Sequence, residues 1–373
     1  MLVQKPPMGW NSWNTFGANI SEELIMQTAD AMVSTGLKDC GYEYVVIDDC
    51  WSLMERDSNG KLVADPEKFP HGMKYLADYI HSKGLKFGMY SCAGTKTCAG
   101  YPSSFDHEFE DAKTFAEFGV DYLKYDFCYK PKHVGGPLLY HRMGIALKAS
   151  GRDILFSACN WGSDNVAQWI RSTGAHMYRS TGDINDSPTS FRDIAMSQIP
   201  VLGYSAPGCF NDIDMLICGM YGKGNVAFGG CNDEEYKMHF ALWCMMASPL
   251  MIGCDIRNMT PETAELLKNK ELIRIDQDAE CRPAFPVGGA ISNDLVLFRH
   301  LENNEYALAV FNFCDGDIRR CVEFYDIGIS AHSGYGLQLE EIFTGEKITA
   351  KENVFVNLKP HTCAVYKAKV VEL

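Results

Sequence analysis

Apolar positions in the first 180 residues follow two alternating rhythms. Ile25, Ala29, Met32 and Val33 share one helical face that stops at Gly36, before the short run Tyr44-Val-Val-Ile-Asp-Asp49. Met73, Leu76, Ala77 and Ile80 form the next face, which stops at Gly84 before Leu85-Lys-Phe-Gly-Met-Tyr90. Phe109, Ala112, Phe115 and Ala116 repeat the unit with Gly119, then Val120 to Asp126. Gly151 precedes Ile154-Leu-Phe-Ser-Ala158, and Gly174 precedes Met177 to Ile184. The glycines stand where a left-handed residue commonly closes a helix. Helices alternating with short buried strands make parallel βαβ units.

Trp10–Trp13, Pro200–Tyr204 and Leu250–Asp255 bring the expected strands to eight. The fold class expected is therefore α/β, a (β/α)8 barrel over residues 1–279, with a doubly wound sheet as the competing architecture. The rhythm changes after Asp278, where Pro283 and Pro286 bracket a linker-like stretch. Beyond it come only short apolar runs: 294–299, 306–311, 321–324, 337–342, 354–358 and 363–366. Residues 280–373 thus read as a C-terminal antiparallel β-sandwich.

Composition narrows the partners. Hydrophobic residues at 46% and charged residues at 22% are ordinary for a soluble domain. The net charge of −14 argues against a nucleic-acid partner and suits a neutral ligand such as a sugar. No apolar run is long enough to span a membrane. The stretch Met1 to Met8 has no basic region leading into an apolar one, so a leader peptide is expected to be absent or already removed. The fifteen cysteines are an odd number, and Cys218, Cys244 and Cys254 lie inside apolar runs. They read as small buried hydrophobes in a reducing, cytoplasmic setting. None of the ten histidines falls in an HxxxH or HxH pair, and there is no CxxC, so no metal site is expected. Oligomeric state is not legible.

The chemistry is expected at the C-terminal ends of the strands, where barrels carry their active sites. A strand buried on both faces should be apolar to its end. Here the ends read Asp48-Asp49-Cys50-Trp51, Tyr90, Lys124-Tyr-Asp126, Cys159-Asn-Trp161 and Arg179-Ser-Thr-Gly-Asp183. Lys124 and Asp126 are two apart and face one side, so the ammonium is expected to keep Asp126 ionised. Arg179 and Asp183, four apart, are a similar pair. Trp13, Trp51 and Trp161 offer apolar walls against a sugar face. Carboxylates, aromatics and hydroxyl-binding groups around one cavity are what glycoside hydrolysis needs: one carboxylate attacks the anomeric carbon while another protonates the leaving oxygen. From the residues alone, other barrel hydrolases and lyases remain open. Asp48 or Asp49 reads equally well as a helix cap, Lys124 with Asp126 as a plain ion pair, and Cys159 as packing rather than as a nucleophile.

Longer motifs go further. Pro7-Met-Gly-Trp-Asn-Ser-Trp13, Asp48-Asp-Cys-Trp51, Lys96-Thr-Cys-Ala-Gly100, Tyr122-Leu-Lys-Tyr-Asp126, Arg179-Ser-Thr-Gly-Asp-Ile184 and Asn211-Asp-Ile-Asp-Met-Leu216 occur in this order. Together they resemble glycoside hydrolase family 27, the α-galactosidase and α-N-acetylgalactosaminidase family. The resemblance implies a barrel followed by a β-sandwich, a retaining mechanism, and no cofactor or metal. It implies Asp126 as nucleophile and Asp183 as acid/base. It implies galactose 4- and 6-hydroxyl recognition by Asp48 and Asp49, with Trp13 beneath the ring. Lys124 would meet the 3- and 4-hydroxyls, Arg179 the 2-hydroxyl side, and Tyr90 would lie near the nucleophile. Cys159 and Asn160 would belong to the substrate wall, and Cys98 with Cys128 match a disulfide of many relatives.

The sequence also departs from the family pattern. Phe127 follows the nucleophile in place of Asn, and Gly208-Cys-Phe210 and Ile213 differ from the usual residues. Asn160 stands where many α-galactosidases carry Glu, with Ser163 nearby. Cys50 lacks its usual partner near residues 16–19. These positions bear on fine specificity. The rival readings are an α-N-acetylgalactosaminidase or β-L-arabinopyranosidase on the same scaffold, and a non-catalytic sugar-binding barrel.

Overall fold

The computed structural model describes residues 2–288 and 293–373; Met1, the first residue of the stretch read for a leader peptide, lies outside them, as do residues 289–292 of the expected C-terminal unit. Eight parallel strands follow one another around a curled sheet: β1 (Met8–Asn11), β2 (Tyr44–Val46), β3 (Lys86–Cys92), β4 (Tyr122–Asp126), β5 (Leu155–Cys159), β6 (Met177–Arg179), β7 (Phe210–Asp212) and β8 (Leu250–Ile252). β1 pairs with both β2 and β8, and the segment after β7 meets β8 through a parallel bridge between Leu216 and Ile252, which closes the ring.

The helical faces read from the sequence pack outside this ring, with two exceptions. Val33 and Phe109 lie at the rims of their stripes and are exposed. The glycines expected to end helices, Gly36, Gly84, Gly119, Gly151 and Gly174, all have positive φ. One strand was misplaced. Residues Ile199–Tyr204 form a 3-10 turn, and the seventh strand is Phe210–Asp212. Pro200 cannot donate to a ladder, whereas Phe210 to Asp212 can.

Strand alternation sorts the ring interior into two layers. Tyr44, Val46, Tyr122, Leu155, Met177, Phe210 and Met251 pack together as an apolar floor. Two residues further along four of the same strands come Asp48, Lys124, Arg179 and Asp212, a polar upper layer. The floor excludes water from below, so the charged layer faces only the open C-terminal end.

The C-terminal unit is antiparallel. A six-stranded sheet runs β14-β13-β16-β11-β10-β9, comprising β9 (Phe285–Pro286), β10 (Asp294–His300), β11 (Glu305–Asn312), β13 (Tyr335–Glu341), β14 (Lys347–Ala350) and β16 (Thr362–Glu372). A two-stranded ribbon of β12 (Ile318–Glu323) and β15 (Asn353–Leu358) covers one face. Val296, Phe298, Leu308 and Val310 pack there against Val322, Val354 and Val356. Leu295, Leu297, Ala307 and Ala309, the alternate residues, join the core shared with the barrel. This double burial explains why β10 and β11 read as continuous apolar runs. β9 and β14 were not expected: the first holds a proline at the sheet edge and the second alternates exposed and half-buried residues.

Candidate active site

A cavity of about 210 Å³ opens at the C-terminal ends of the barrel strands. That is smaller than the ~300–1,000 Å³ of sites for drug-sized ligands, so it suits one small ring. Asp126 stands at the end of β4, its Oδ1 accepting from the Phe127 backbone N–H at 2.9 Å and its Oδ2 from the Tyr90 hydroxyl at 3.2 Å. Burial pushes the Asp126 carboxyl up to about 6; Lys124 and Arg179 pull against that rise and Asp48 adds to it. Lys124 is thus the neighbouring cation expected beside Asp126, but it is not the direct hydrogen-bond partner of that carboxylate. The Lys124 ammonium donates to Asp48 Oδ2 at 2.8 Å, because Asp48 faces it across the ring and is fixed there by Asn11 at 2.7 Å. Asp126 keeps the ammonium only as a neighbouring charge, and at neutral pH is still ionised.

Asp48 and Asp49 both line the cavity, although successive residues of a regular strand would diverge. β2 ends at Val46, and the chain turns through Cys50 at φ 70°, freeing both carboxylates from the strand period. Asp49 accepts from the backbone N–H groups of Cys50 at 2.7 Å and Ala99 at 2.9 Å. The Ala99 bond ties it to the loop that carries Cys98, which is disulfide-bonded to Cys128. Both cysteines belong to the cavity wall beside Asp126. The other thirteen cysteines are free, nine of them buried.

Arg179, buried at the end of β6, holds two carboxylates at once: Asp183 at 2.7 Å and Asp214 at 2.7 Å. The strand ends at Arg179, so Asp183 does not share a strand face with it; the following loop folds the carboxylate back onto the guanidinium. The Asp183 side chain is 80% exposed, in contrast to the enclosed Asp126.

Trp13, Tyr90, Cys159 and Trp161 complete much of the wall. Two expected members are not there. Trp51 is buried in the outer core with its indole N–H on the Tyr90 carbonyl. Asn160 is fully buried and turns its amide to the Ser163 carbonyl at 2.9 Å, leaving Cys159 and Trp161 to face the cavity.

Asp214 is the residue that sequence reasoning passed over. It lies in Asn211-Asp-Ile-Asp-Met-Leu216 at φ 90°, a left-handed backbone uncommon outside glycine. Its carboxylate also accepts from the N–H groups of Ile184 and Met215, each at 2.7 Å. A seventh strand expected at 200–204 leaves this motif away from a strand end, whereas the actual strand Phe210–Asp212 runs directly into it. Asp214→Ala is expected to destabilise the protein by about 3–5 kcal/mol, because among the described residues the other direct ion pair of buried Arg179 is with the exposed Asp183. Urea denaturation reads this; a loss under about 0.5 kcal/mol would mean that the pair does not hold the loop.

Comparison with known proteins adds to this geometry. A family model described as alpha galactosidase A matches residues 5–278, and one described as alpha galactosidase C-terminal beta sandwich domain matches residues 295–368. Alpha-galactosidase 3 of Arabidopsis thaliana is 51% identical over 281 residues, an alignment covering 74% of this chain and 61% of that protein. The alpha-galactosidase of Cyamopsis tetragonoloba is 41% identical over 373 residues, covering 98% of this chain and 86% of the relative. The crystal structure of alpha-galactosidase I from Mortierella vinacea superposes with a TM-score of 0.91 at 35% identity, covering 98% of this chain and 97% of that one. No helix among the described residues is long and apolar enough to cross a membrane.

Proposed function

This chain belongs to the alpha galactosidase A family of glycoside hydrolases, and from that premise we propose that it removes terminal α-linked galactose by double displacement, with Asp126 as nucleophile and Asp183 as acid/base. The observation that carries the assignment of roles is the contrast between the two carboxylates. Asp126 is enclosed and aimed into the cavity by Tyr90 and the Phe127 N–H. Asp183 stands at the mouth, reachable by water and by a leaving group, on a guanidinium that orients it. A nucleophile needs fixed geometry and exclusion of water; an acid that later activates water needs access to it.

The binding roles follow from the same cavity. Asp48, Asp49 and Lys124 offer charged acceptors and donors to the galactose hydroxyls, and Trp13 an apolar face. Arg179 lies on the 2-hydroxyl side. A reducing, cytoplasmic setting is supported by thirteen unpaired cysteines, against one disulfide.

Galactose rather than its 2-acetamido analogue is the substrate this wall supports. Trp161, at φ 57° beside Cys159, lines the cavity, and its indole is the wall against which an acetamido methyl is expected to clash. The para-nitrophenyl α-galactoside is expected to exceed the N-acetylgalactosaminide at least about tenfold in kcat/KM, equivalent to about 1.4 kcal/mol. A preference for the acetamido sugar would overturn the specificity, and no turnover of either would overturn the function.

A further inference from the structure

We propose that reduction of the Cys98–Cys128 disulfide by a dithiol uncovers a site for a zinc-class cation, made of the two thiolates and the Asp126 carboxylate, and that the bound cation silences the enzyme. The silencing rests on the reading of Asp126 as nucleophile above; the site itself does not. The Sγ atoms of Cys98 and Cys128 and a carboxylate oxygen of Asp126 all lie within 4.8 Å of one another. Sequence spacing does not show this, because the cysteines are 30 residues apart, one on the loop after β3 and the other just past the end of β4. Of the fifteen cysteines these two alone are bonded, and neither is buried. A small dithiol reaches them through the cavity they line.

In the exchange the dithiol gives two electrons and two protons to the protein sulfurs and leaves as a cyclic disulfide. Cys98 and Cys128 become thiols, and their sulfurs move from bonded to non-bonded contact, about 3.5–4.0 Å apart. Two thiolates on one tetrahedral zinc, each at about 2.3 Å from it, stand about 3.8 Å apart. Cleavage therefore opens the pair to the separation that zinc takes. Zinc binding sends the two thiol protons to solvent, and the Asp126 oxygen makes a third protein ligand with a fourth position left open.

The surroundings favour this ion. The Tyr90 hydroxyl keeps two of the ligands together, lying 3.3 Å from Cys98 Sγ and 3.2 Å from Asp126 Oδ2. Five carboxylates line the cavity against only Lys124 and Arg179, a balance that attracts a cation. Two thiolates select zinc or cobalt over magnesium or calcium, which prefer oxygen. With its oxygen on the metal, Asp126 cannot attack the anomeric carbon.

The test compares the oxidised parent with parent that has been reduced by a dithiol and freed of it by gel filtration under argon. Excess zinc is expected to lower kcat/KM of the reduced form on an aryl α-galactoside by about tenfold or more, with the oxidised form within twofold and EDTA restoring the rate. Cobalt(II) is expected to give sulfur-to-metal charge-transfer absorption in the reduced parent, absent from the oxidised parent and from reduced Cys98→Ser. The other thirteen thiols are free in both forms of the parent, so the oxidised form is the control for them. Asp126→Asn, reduced, is expected to bind cobalt more weakly than the reduced parent. Equal inhibition of the oxidised form overturns the proposal, as does a loss on reduction that EDTA does not reverse. A cobalt spectrum unchanged by reduction or by Cys98→Ser overturns it, and equal cobalt affinity in Asp126→Asn overturns the three-ligand site. If the oxidised parent hydrolyses no galactoside, the α-galactosidase reading has failed, and the cobalt spectrum still decides the site.

Discussion

Asp126→Asn is expected to lower turnover of any α-galactoside by about 10⁴–10⁶-fold, the scale on which removal of an essential nucleophile acts. The amide is close in size to the carboxylate and keeps an acceptor for the Phe127 N–H, but it cannot form the glycosyl ester. The same change is expected to stabilise the fold. Burial raises the parent carboxyl from 3.8 to about 6. A carboxyl raised in the folded state weakens the fold above both values, and that cost fades as pH falls from about 6 towards 3.8. At about 1.4 kcal/mol per pKa unit, the cost at pH 7 is about 3 kcal/mol, which the neutral Asn removes. The variant should therefore unfold at higher urea than the parent at pH 7, with a difference that shrinks at pH 4. The parent's kcat/KM should in turn fall as pH drops below about 6, where Asp126 takes up its proton. Full residual activity in the variant would remove Asp126 from its role. Loss of both activity and stability would point to a structural carboxylate.

Asp183→Ala should produce a selective loss. A sugar leaving group needs its oxygen protonated, and there the expected fall in kcat/KM is about 10²–10⁴-fold. A dinitrophenyl galactoside leaves without help, so its first step should slow far less. The glycosyl-enzyme then lacks its base and accumulates, and azide, which needs no base, should restore part of the rate and yield α-galactosyl azide. The exposure of Asp183 makes this rescue feasible, since a small anion has an open path to the vacated position. Equal losses on both substrates with no effect of azide would mean that Asp183 only supports Arg179.

Much of this site was legible because barrel strands are apolar through their length. Lys124, Asp126 and Arg179 stand out against Leu123, Tyr125 and Tyr178, which are buried in the outer core. The floor residue Tyr122 and the alternation along β4 then place Lys124 and Asp126 in the interior. What failed depended on contacts between elements far apart in sequence. The partner of Lys124 is Asp48, 76 residues away, and no spacing rule on one strand could choose it over Asp126. Asn160 follows the alternation of β5, which turns it away from the cavity that Cys159 faces, whereas Trp51 lies beyond Cys50 at φ 70°, where the strand period no longer applies. Asp214 escaped because a three-residue strand such as Phe210–Asp212 carries too few positions for a period to show. The C-terminal edge strands escaped for a related reason, since their exposure removes the apolar signal.

The central claim is that galactose becomes covalently attached to Asp126 during turnover. The most direct measurement is mass spectrometry of the enzyme after incubation with a fluorinated α-galactosyl fluoride whose glycosyl-enzyme hydrolyses slowly. The account predicts one fluorogalactosyl adduct per chain, mapped by peptide sequencing to Asp126 and absent from Asp126→Asn. Adduct formation on another residue, or steady hydrolysis of natural galactosides with the β-anomer as first product, would contradict it.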